Sequence, residues 1–344
     1  MSDTEVSDQM APSSAGQQLP VYCAADFLVT SGANHGDALS HAAELLLDDS
    51  YELGADAQSR ALSVILTPQG GYQVAPNSAL GTPGATLHLD SCITLMPLHG
   101  GTIEALILVE VDTSGHIAEI YLYPLAPLAA KTAYTLVGID CENAKRRMAL
   151  INCVSFAAGT NITMATGAQH PVETLKVGDR ILTRDSGIQK IRWIGRSTLR
   201  ASGPFAPVTI KAGTLNNLGD LTVHPDHRLF IYQRQDAFGV GQAELLVKAR
   251  HLVNGDSITT TDGGFVEYVQ ILFDTHEIIF AEGIATETMA VTHSTRPVLP
   301  RELAAKFAQS QPGLPGKDAI ALELNEAFLQ DIDTAEYLRR ASGR

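Results

Sequence analysis

The chain is poor in basic residues. Its 344 residues include 24 Lys and Arg against 38 Asp and Glu, which gives a formal net charge of -14. Nucleic acids and anionic membranes bind proteins through clustered Lys and Arg, so this balance argues against both partners. Apolar residues make up 45% and charged residues 18%, a composition typical of globular proteins. We therefore expect neither a nucleic-acid partner nor a membrane contact.

Long apolar runs are also missing. No segment reaches the roughly 18 consecutive apolar residues of a membrane-spanning helix. The first residues, Met-Ser-Asp-Thr-Glu-Val-Ser-Asp, are acidic and lack the basic start and apolar centre of a secretory signal peptide. The sequence therefore predicts a cytoplasmic protein, or one that is secreted without a conventional signal peptide.

Cysteine is scarce as well. The four cysteines are Cys23, Cys92, Cys141 and Cys153, and no two of them have the Cys-x-x-Cys spacing. That spacing is the usual mark of a zinc site or a redox pair, so neither is indicated. We expect free thiols in a reducing compartment, no bound metal and no cofactor.

The length favours two domains, the first of them rich in β-strands. Residues 1–18 are rich in Ser, Gln, Asp and Ala without periodicity, which predicts a disordered lead. Residues 19–150 contain short apolar runs bounded by Gly and Pro, the pattern of a small antiparallel β domain. The clearest hairpin joins residues 103–111 to residues 117–123 through Asp112-Thr-Ser-Gly.

Short helices are predicted at several places. Apolar residues recur at helical spacing within 38–49, which favours a short helix or a turn there. Residues 142–150 form a candidate linker helix before the second domain. Residues 294–344 are predicted as a helical tail, with helices at 301–309 and 319–340.

A set of short motifs follows in the second domain, residues 153–293. The first is Ser155-Phe-Ala-Ala-Gly-Thr. Later motifs, in chain order, are Pro-Val-Glu-Thr-Leu-Lys-Val-Gly-Asp (171–179), Ile-Arg-Trp-Ile-Gly (191–195), His-Pro-Asp-His-Arg-Leu (224–229) and Phe-Ala-Glu-Gly (280–283). This order resembles the hedgehog and intein (Hint) domains, and their bacterial branch most closely. The resemblance implies a mainly β protein in which the N-terminal β domain precedes a Hint-type all-β horseshoe and a short helical tail.

The resemblance also implies a self-cleaving activity. Ser155 stands where Hint domains carry their nucleophile, and its target is the carbonyl carbon of Val154. Attack moves the acyl group from the Ser155 nitrogen to its oxygen and leaves an ester. The chain's own N-terminal segment is then the substrate, and water or an external nucleophile accepts the acyl group. Residues 287–293 lack the Asn that splicing requires, so cleavage without splicing is expected.

Other site residues are carried over from the family by position. His227 matches the histidine that protonates the departing amine, while His224 occupies a place usually held by a hydroxyl residue. Asp274 and His276 lie where related domains carry an acidic residue and a histidine, so both are candidates for proton relay. Counting back from Gly159-Thr160 makes Ser155 the first residue of the motif.

Three alternatives remain at the level of sequence. Cys153 is a better nucleophile by chemistry than Ser155 but lies two residues too early. Asp179 follows Gly178 and is predicted to be a turn residue. The whole domain is alternatively a silent scaffold that binds a partner, because a serine hydroxyl is harder to ionise than a thiol and needs a base. The sequence does not predict an oligomeric state.

Overall fold

The computed structural model describes residues 17–67, 70–232, 244–309 and 322–323. All but the last two residues of the predicted lead lie outside the described residues. The chain divides into two compact units. The first extends to Pro124 and includes Leu128–Ala144, and the second comprises Leu125–Pro127 and everything from Lys145 onward. In the described ranges no helix has the length and apolarity to cross a membrane.

The first unit is built from strands, as the alternating pattern predicts. They are β1 (Gln17–Cys23), β2 (Phe27–Ser31), β3 (Ser50–Leu53), β4 (Arg60–Leu66), β5 (Tyr72–Val74), β6 (Thr86–Pro97), β7 (Ile103–Val111), β8 (Ile117–Pro124) and β9 (Ala133–Asp140). A short 3-10 helix, Ala24–Asp26, lies between β1 and β2.

One long strand organises this sheet. The start of β6 pairs with β5 and its end pairs with β9, while β7 pairs along the opposite edge. The order β6-β5-β4-β1-β8-β7 returns to β6, so six strands close into a ring. Strands β9, β3 and β2 extend the sheet outward from the end of β6. Closure removes the free edges that a flat sheet of six strands would expose.

The hairpin predicted from residues 103–111 and 117–123 is confirmed as β7 and β8. Its turn is stabilised by Asp112, whose Oδ1 accepts the backbone N–H groups of Ser114 and His116 at 2.7 and 2.9 Å. This is the local bonding that favours Asp at the start of a turn.

Of the two predictions for residues 38–49, the helix is wrong and the turn is correct. Leu39 donates its N–H to Phe27 O, and Ala38 forms a bridge with Leu28, so the start of this segment bonds to β2. The bonds within the segment, from Glu44 N–H to His41 O and from Asp49 N–H to Leu46 O, close single turns and not a continuous helix. Leu39 is buried, whereas Leu46 and Leu47 are exposed. The apolar residues therefore do not share one helical face.

Helix α1 (Ala144–Ile151) belongs to the second unit from Lys145 onward and confirms the linker helix predicted at 142–150. The strands of this unit are β10 (Phe156–Ala157), β11 (Asn161–Thr163), β12 (Gln169–Pro171), β13 (Arg180–Leu182), β14 (Ile188–Lys190), β15 (Trp193–Arg200), β16 (Val208–Ile210), β17 (Leu221–Val223), β18 (Arg228–Tyr232), β19 (Glu244–Lys248), β20 (Ile258–Thr260), β21 (Phe265–Leu272), β22 (Ile278–Ala281), β23 (Ile284–Glu287) and β24 (Leu322–Glu323). Short 3-10 helices are Val172–Thr174, Gly203–Phe205, Ala249–Leu252 and Arg296–Val298.

These strands form three sheets within the second unit. One has the order β15-β21-β10-β17-β16-β20, another has the order β12-β11-β22-β23-β18-β19-β24, and β13 pairs with β14. Phe156, Val223 and Val269 belong to one buried apolar cluster. The all-β character predicted for the described part of this segment is confirmed.

Helix α2 (Arg301–Gln309) matches the predicted tail helix at 301–309. The second tail helix, predicted at 319–340, is wrong where it can be compared. Leu322 and Glu323 form β24, which pairs in parallel with β19. The other residues of that prediction lie outside the described residues.

Candidate functional site

Ser155 lies one residue before β10, between two strands of the six-stranded sheet. Phe156 pairs with Val223 of β17 and with Val269 of β21. One step earlier in the same registers, Ser155 is opposite His224 on one side and Gln270 on the other. Directly opposite side chains in antiparallel strands share a face and are about 5 Å apart. His224, Ser155 and Gln270 thus form a row, the Ser155 row, and each is only 1% exposed.

The end of the first motif fixes this arrangement. Gly159 has a φ of 91°, a conformation that favours glycine, and its N–H donates to Glu173 Oε2 at 2.8 Å. The hydroxyl of Thr160 donates to the carbonyl oxygen of Thr222 at 3.0 Å and so joins the motif to β17. The Gly-Thr pair therefore turns the chain and holds Ser155 beside its neighbours.

The Ser155 hydroxyl makes two hydrogen bonds. Gln270 Nε2 donates to Ser155 Oγ at 2.8 Å, and Oγ donates to the carbonyl oxygen of Cys153 at 3.2 Å. The hydroxyl proton is thus directed at a peptide carbonyl, which is not a useful base. The arrangement holds Oγ firmly beside the Val154–Ser155 peptide bond.

The carbonyl oxygen of Ser155 is held from two sides. The backbone N–H of His224 donates to it at 2.9 Å, and His227 Nδ1 lies 3.0 Å from it. The other ring nitrogen of His227, Nε2, lies 3.0 Å from the carbonyl oxygen of Glu287. The imidazole also packs against Phe156, with 4.6 Å between ring centroids. His227 therefore joins the start of the domain to the end of β23.

Burial lowers the pKa of both histidines. It reduces the pKa of His227 to about 4, against the opposing effect of the bond to the Ser155 carbonyl. It likewise reduces the pKa of His224 to about 4, against the opposing charge of Asp226. Both imidazoles are therefore neutral at pH 7. A neutral ring carries one N–H, so His227 donates to only one of its two carbonyl neighbours at a time.

The His224 ring is held by its backbone surroundings. The N–H of Asp226 donates to His224 Nδ1 at 3.2 Å, which places the ring proton of the neutral form on Nε2. That Nε2 is buried and has no hydrogen-bond partner among the described residues. The ring meets Tyr268 edge-on at 5.4 Å between centroids. His224 thus lies next to Ser155, and its Nε2–H group is a hydrogen-bond donor without an acceptor among the described residues.

The thiol of Cys153 is fully buried. Burial raises the pKa of this thiol to about 12, so at neutral pH it is un-ionised and a poor nucleophile. Its backbone carbonyl, by contrast, takes part in the site because it accepts the hydrogen bond from Ser155 Oγ. Burial therefore removes the chemical advantage that a thiol has over the Ser155 hydroxyl.

The sequence match to known families falls on this same segment. Residues 154–293 match the family model of the Hint domain. The match begins one residue before Ser155 and ends beyond β23. This segment is a Hint domain. The chain is therefore a Hint-domain protein whose other described unit is a closed β sheet. No curated protein matches the sequence.

Several inteins are among the solved structures with partial similarity to this chain. A variant of the Ssp DnaB mini-intein is 12% identical, with 41% of this chain and 97% of the intein covered at a TM-score of 0.28. The DnaB intein of Synechocystis sp. PCC 6803 is 15% identical, with 39% and 98% covered at a TM-score of 0.27. The gp41-1 intein is 12% identical, with 39% and 97% covered at a TM-score of 0.25. Similarity at this level supports no conclusion about chemistry.

Asp274 of the Hint domain lies at the surface. Its carboxylate accepts a 2.7 Å hydrogen bond from Arg192 Nε, and both side chains are more than half exposed. No contact with the Ser155 row is found for Asp274 in the part of the chain that the structure describes. The structure therefore gives the proposed proton relay through Asp274 no geometric support.

His276 and Asp179 have different surroundings. His276 is half-buried, and burial lowers its pKa with a further contribution from the charge of Arg228. It lies beside Thr288, near the end of the domain, and has no hydrogen bond to Ser155 among the described contacts. Asp179 accepts the N–H of Lys176 at 2.9 Å after Gly178, so the prediction of a turn residue is confirmed.

Gln270 is the site residue that sequence reasoning missed. It belongs to no motif of the resemblance, because it reaches Ser155 only through the pairing of β10 with β21. One signal was present: Gln270 is the one polar residue in the run from Tyr268 to Phe273. A polar residue inside an apolar strand is costly to bury without a partner. Ser155 is the partner of Gln270 Nε2, while the buried Oε1 has none among the described residues.

The Hint domain offers no cluster of metal ligands in its described part. Across residues 17–67, 70–232, 244–309 and 322–323, no three His, Cys, Asp or Glu side chains lie together in a way that holds a metal ion. The groups around Ser155 are two neutral imidazoles, an amide and backbone carbonyls. Such a set is suited to hydrogen bonding and proton transfer.

Proposed function

We propose that the Hint domain cleaves its own chain once, between Val154 and Ser155. The observation that carries the proposal is the Ser155 row, in which Gln270 Nε2 donates to Ser155 Oγ at 2.8 Å. Residues 1–154 are the segment released, and water or another nucleophile accepts the acyl group. The reaction is a single turnover, because the nucleophile is part of the substrate.

The proposed first step moves one acyl group and one proton. Ser155 Oγ attacks the carbonyl carbon of Val154, the bond from that carbon to the Ser155 nitrogen breaks, and an ester forms at Oγ. The hydroxyl proton leaves Oγ, and the departing nitrogen gains a proton and becomes an amine. Water then attacks the ester, which yields the Val154 carboxylate and restores the Ser155 hydroxyl.

The neighbours of Ser155 have distinct parts in this proposal. The amide N–H of Gln270 stabilises the negative charge that develops on Oγ as its proton leaves. His227, which lies 3.0 Å from the Ser155 carbonyl oxygen, is the nearest titratable group for carrying a proton to the departing nitrogen. Because its pKa is near 4, it is neutral at pH 7 and acts only after it has accepted a proton.

A second candidate function is a silent scaffold with the same fold. It is favoured by one observation: no described side chain that could act as a base hydrogen-bonds to Ser155 Oγ, whose proton points to the Cys153 carbonyl. A hydroxyl without a base is a weak nucleophile. In this case the domain binds a partner or supports the first unit, and the Val154–Ser155 bond stays intact.

Hydroxylamine separates the two candidates. It attacks an ester readily, so an acyl shift would release residues 1–154 with a hydroxamic acid on Val154. We expect this product, identified by the mass of the C-terminal peptide, from the wild-type chain and none from Ser155→Ala. An intact chain in both samples would favour the silent scaffold.

A further inference from the structure

The first unit has an outer sheet face that is both apolar and acidic. We infer that this face docks a basic polypeptide segment that carries apolar anchors. It is formed by the outward side chains of β2, β3, β9 and the end of β6, together with the turn before β3. We call it the acidic apolar face, and its residues are Leu28, Glu44, Leu46, Leu47, Asp48, Glu52, Met96 and Val137.

Strand register places the core of this face in neighbouring rows. Leu28 is opposite Glu52, and Glu52 is opposite Ala133 of β9. In the next outward row, Thr135 of β9 is opposite Met96. Opposite residues share a face of the sheet, so these side chains are neighbours. The inward residues between them, such as Tyr51 and Leu136, are buried.

The apolar residues of this face are unusually exposed. Leu28 is 43% exposed, Met96 45% and Leu47 55%, and Leu46 and Val137 are exposed as well. The turn that carries Leu46 and Leu47 is bonded to β9, because Asp48 donates its N–H to Leu136 O at 2.9 Å. Single exposed apolar residues need no explanation, but three on one sheet face with two more in the adjoining turn indicate a binding surface.

The negative charge around the acidic apolar face indicates a positively charged partner. Between residues 17 and 144 the only basic residues are Arg60 and Lys131. The stretch from β2 to the loop after β3, residues 26–56, contains no Lys or Arg. Its acidic residues are Asp26, Asp37, Glu44, Asp48, Asp49, Glu52 and Asp56.

Two acids of the face, Glu52 and Asp48, are available to a partner. Glu52 lies between the exposed apolar residues, and neither it nor Asp48 has an ion-pair partner among the described residues. Carboxylates beside apolar side chains attract Lys or Arg and repel nucleic acids and anionic lipids. A partner that buries Leu28 and Met96 must therefore bring cationic groups to Glu52 and Asp48. A basic segment with apolar residues at intervals has this chemistry.

The experiment uses the full chain and three short fluorescent peptides of equal length. One alternates Leu with Lys, one Leu with Glu and one Ser with Lys, and fluorescence anisotropy gives each Kd. We expect binding of the Leu-Lys peptide alone. Leu28→Ser, Met96→Ser and Glu52→Lys should each weaken it about ten-fold or more, the loss that follows when an interface anchor is removed.

Matched controls test whether the effect belongs to this face. Ile117 is 48% exposed and Glu119 is half-buried, and both lie on β8, away from the face. Ile117→Ser and Glu119→Lys should leave the Kd unchanged. Equal weakening by the controls, or equal binding of the Ser-Lys peptide, would show general charge attraction and overturn the proposal, as would an absence of binding.

Sedimentation velocity tests the other occupant, a second copy of the chain. We expect the wild type and Met96→Ser to sediment alike. A wild-type dimer that Met96→Ser dissociates would show that the face binds its own copy, and the inference of a basic partner would be wrong.

Discussion

Gln270 lies directly opposite Ser155 across neighbouring strands, and its side-chain amide donates a 2.8 Å hydrogen bond to Ser155 Oγ. The amide is a donor here, so it stabilises an oxyanion at Oγ but does not remove the hydroxyl proton. The proton is held instead by the carbonyl of Cys153. In our account, proton removal limits the rate at which the Val154–Ser155 bond breaks.

Removal of the Gln270 amide should slow cleavage. In a background of Ser155→Cys, whose thiol ionises more readily than the serine hydroxyl, we expect Gln270→Leu to slow the reaction about ten- to hundred-fold, because a donor to the developing anion is lost. Gln169→Leu is the control, since Gln169 is exposed and donates a similar 2.8 Å bond to Thr163 Oγ1. Band intensities over time give both rates, and equal rates would remove Gln270 from the mechanism.

The two buried histidines make the Hint domain sensitive to acid. Their pKa values are near 4 in the folded chain and near 6.5 when unfolded, so the unfolded state binds more protons in between. Stability is complete above pH 6.5 and falls as the pH drops toward 4, by about 3 kcal/mol per histidine at most. Trp193, the one tryptophan of the chain, reports unfolding of this domain by fluorescence.

His227→Gln should reduce the loss of stability at acid pH. Between pH 7 and pH 5 the free energy of unfolding of the variant is expected to fall less than that of the wild type, because one group no longer takes up a proton on unfolding. His116→Gln is the control, since its side chain is 81% exposed. If the free energy of unfolding of His227→Gln fell as steeply with pH as that of the wild type, the result would contradict the buried neutral state of His227.

The cysteines should react unequally with iodoacetamide. Cys141 is exposed and should be alkylated in the folded protein, whereas Cys153 is fully buried with a pKa raised to about 12 and should stay unmodified. Peptide mass spectrometry before and after denaturation measures both. We further expect Cys153→Ala to leave the position of cleavage unchanged. Loss of cleavage in a folded Cys153→Ala would make Cys153 the nucleophile.

Asp274→Asn should leave cleavage unaffected. The carboxylate pairs with Arg192 at the surface, where solvent weakens such interactions, and it makes no described contact with Ser155. The rate in the Ser155→Cys background is the measurement, with Arg192→Gln as the matched variant. A large loss of rate in Asp274→Asn alone would restore the relay role that the family resemblance gave it.

Local patterns predicted the elements that depend on local bonding. The β7–β8 hairpin follows from alternation around Asp112, and the helix at Arg301–Gln309 follows from its apolar spacing. Closure of the six-strand ring was beyond prediction, because it depends on β1 meeting β4 and β8, which are distant from it in sequence. Leu322 and Glu323 follow a helical pattern, but pairing with β19 decides their conformation.

The residues of the candidate site also divide into those that short motifs predict and those that depend on strand pairing. Ser155, His224 and His227 were found because each belongs to a short motif, and the structure brings all three together around one peptide carbonyl. Gln270 was missed because its position depends on the register of β21 against β10. Asp274 was carried over by position alone, and its neighbour Arg192 explains its place at the surface.

The intact mass of freshly purified protein tests the central claim most directly, with Ser155→Ala and Ser155→Cys measured beside the wild type over time. Our account predicts fragments 1–154 and 155–344 in the wild type, none in Ser155→Ala, and faster cleavage in Ser155→Cys because a thiol ionises more readily. Masses that stay whole in the wild type and in Ser155→Cys alike would contradict it and leave a Hint domain without self-cleavage.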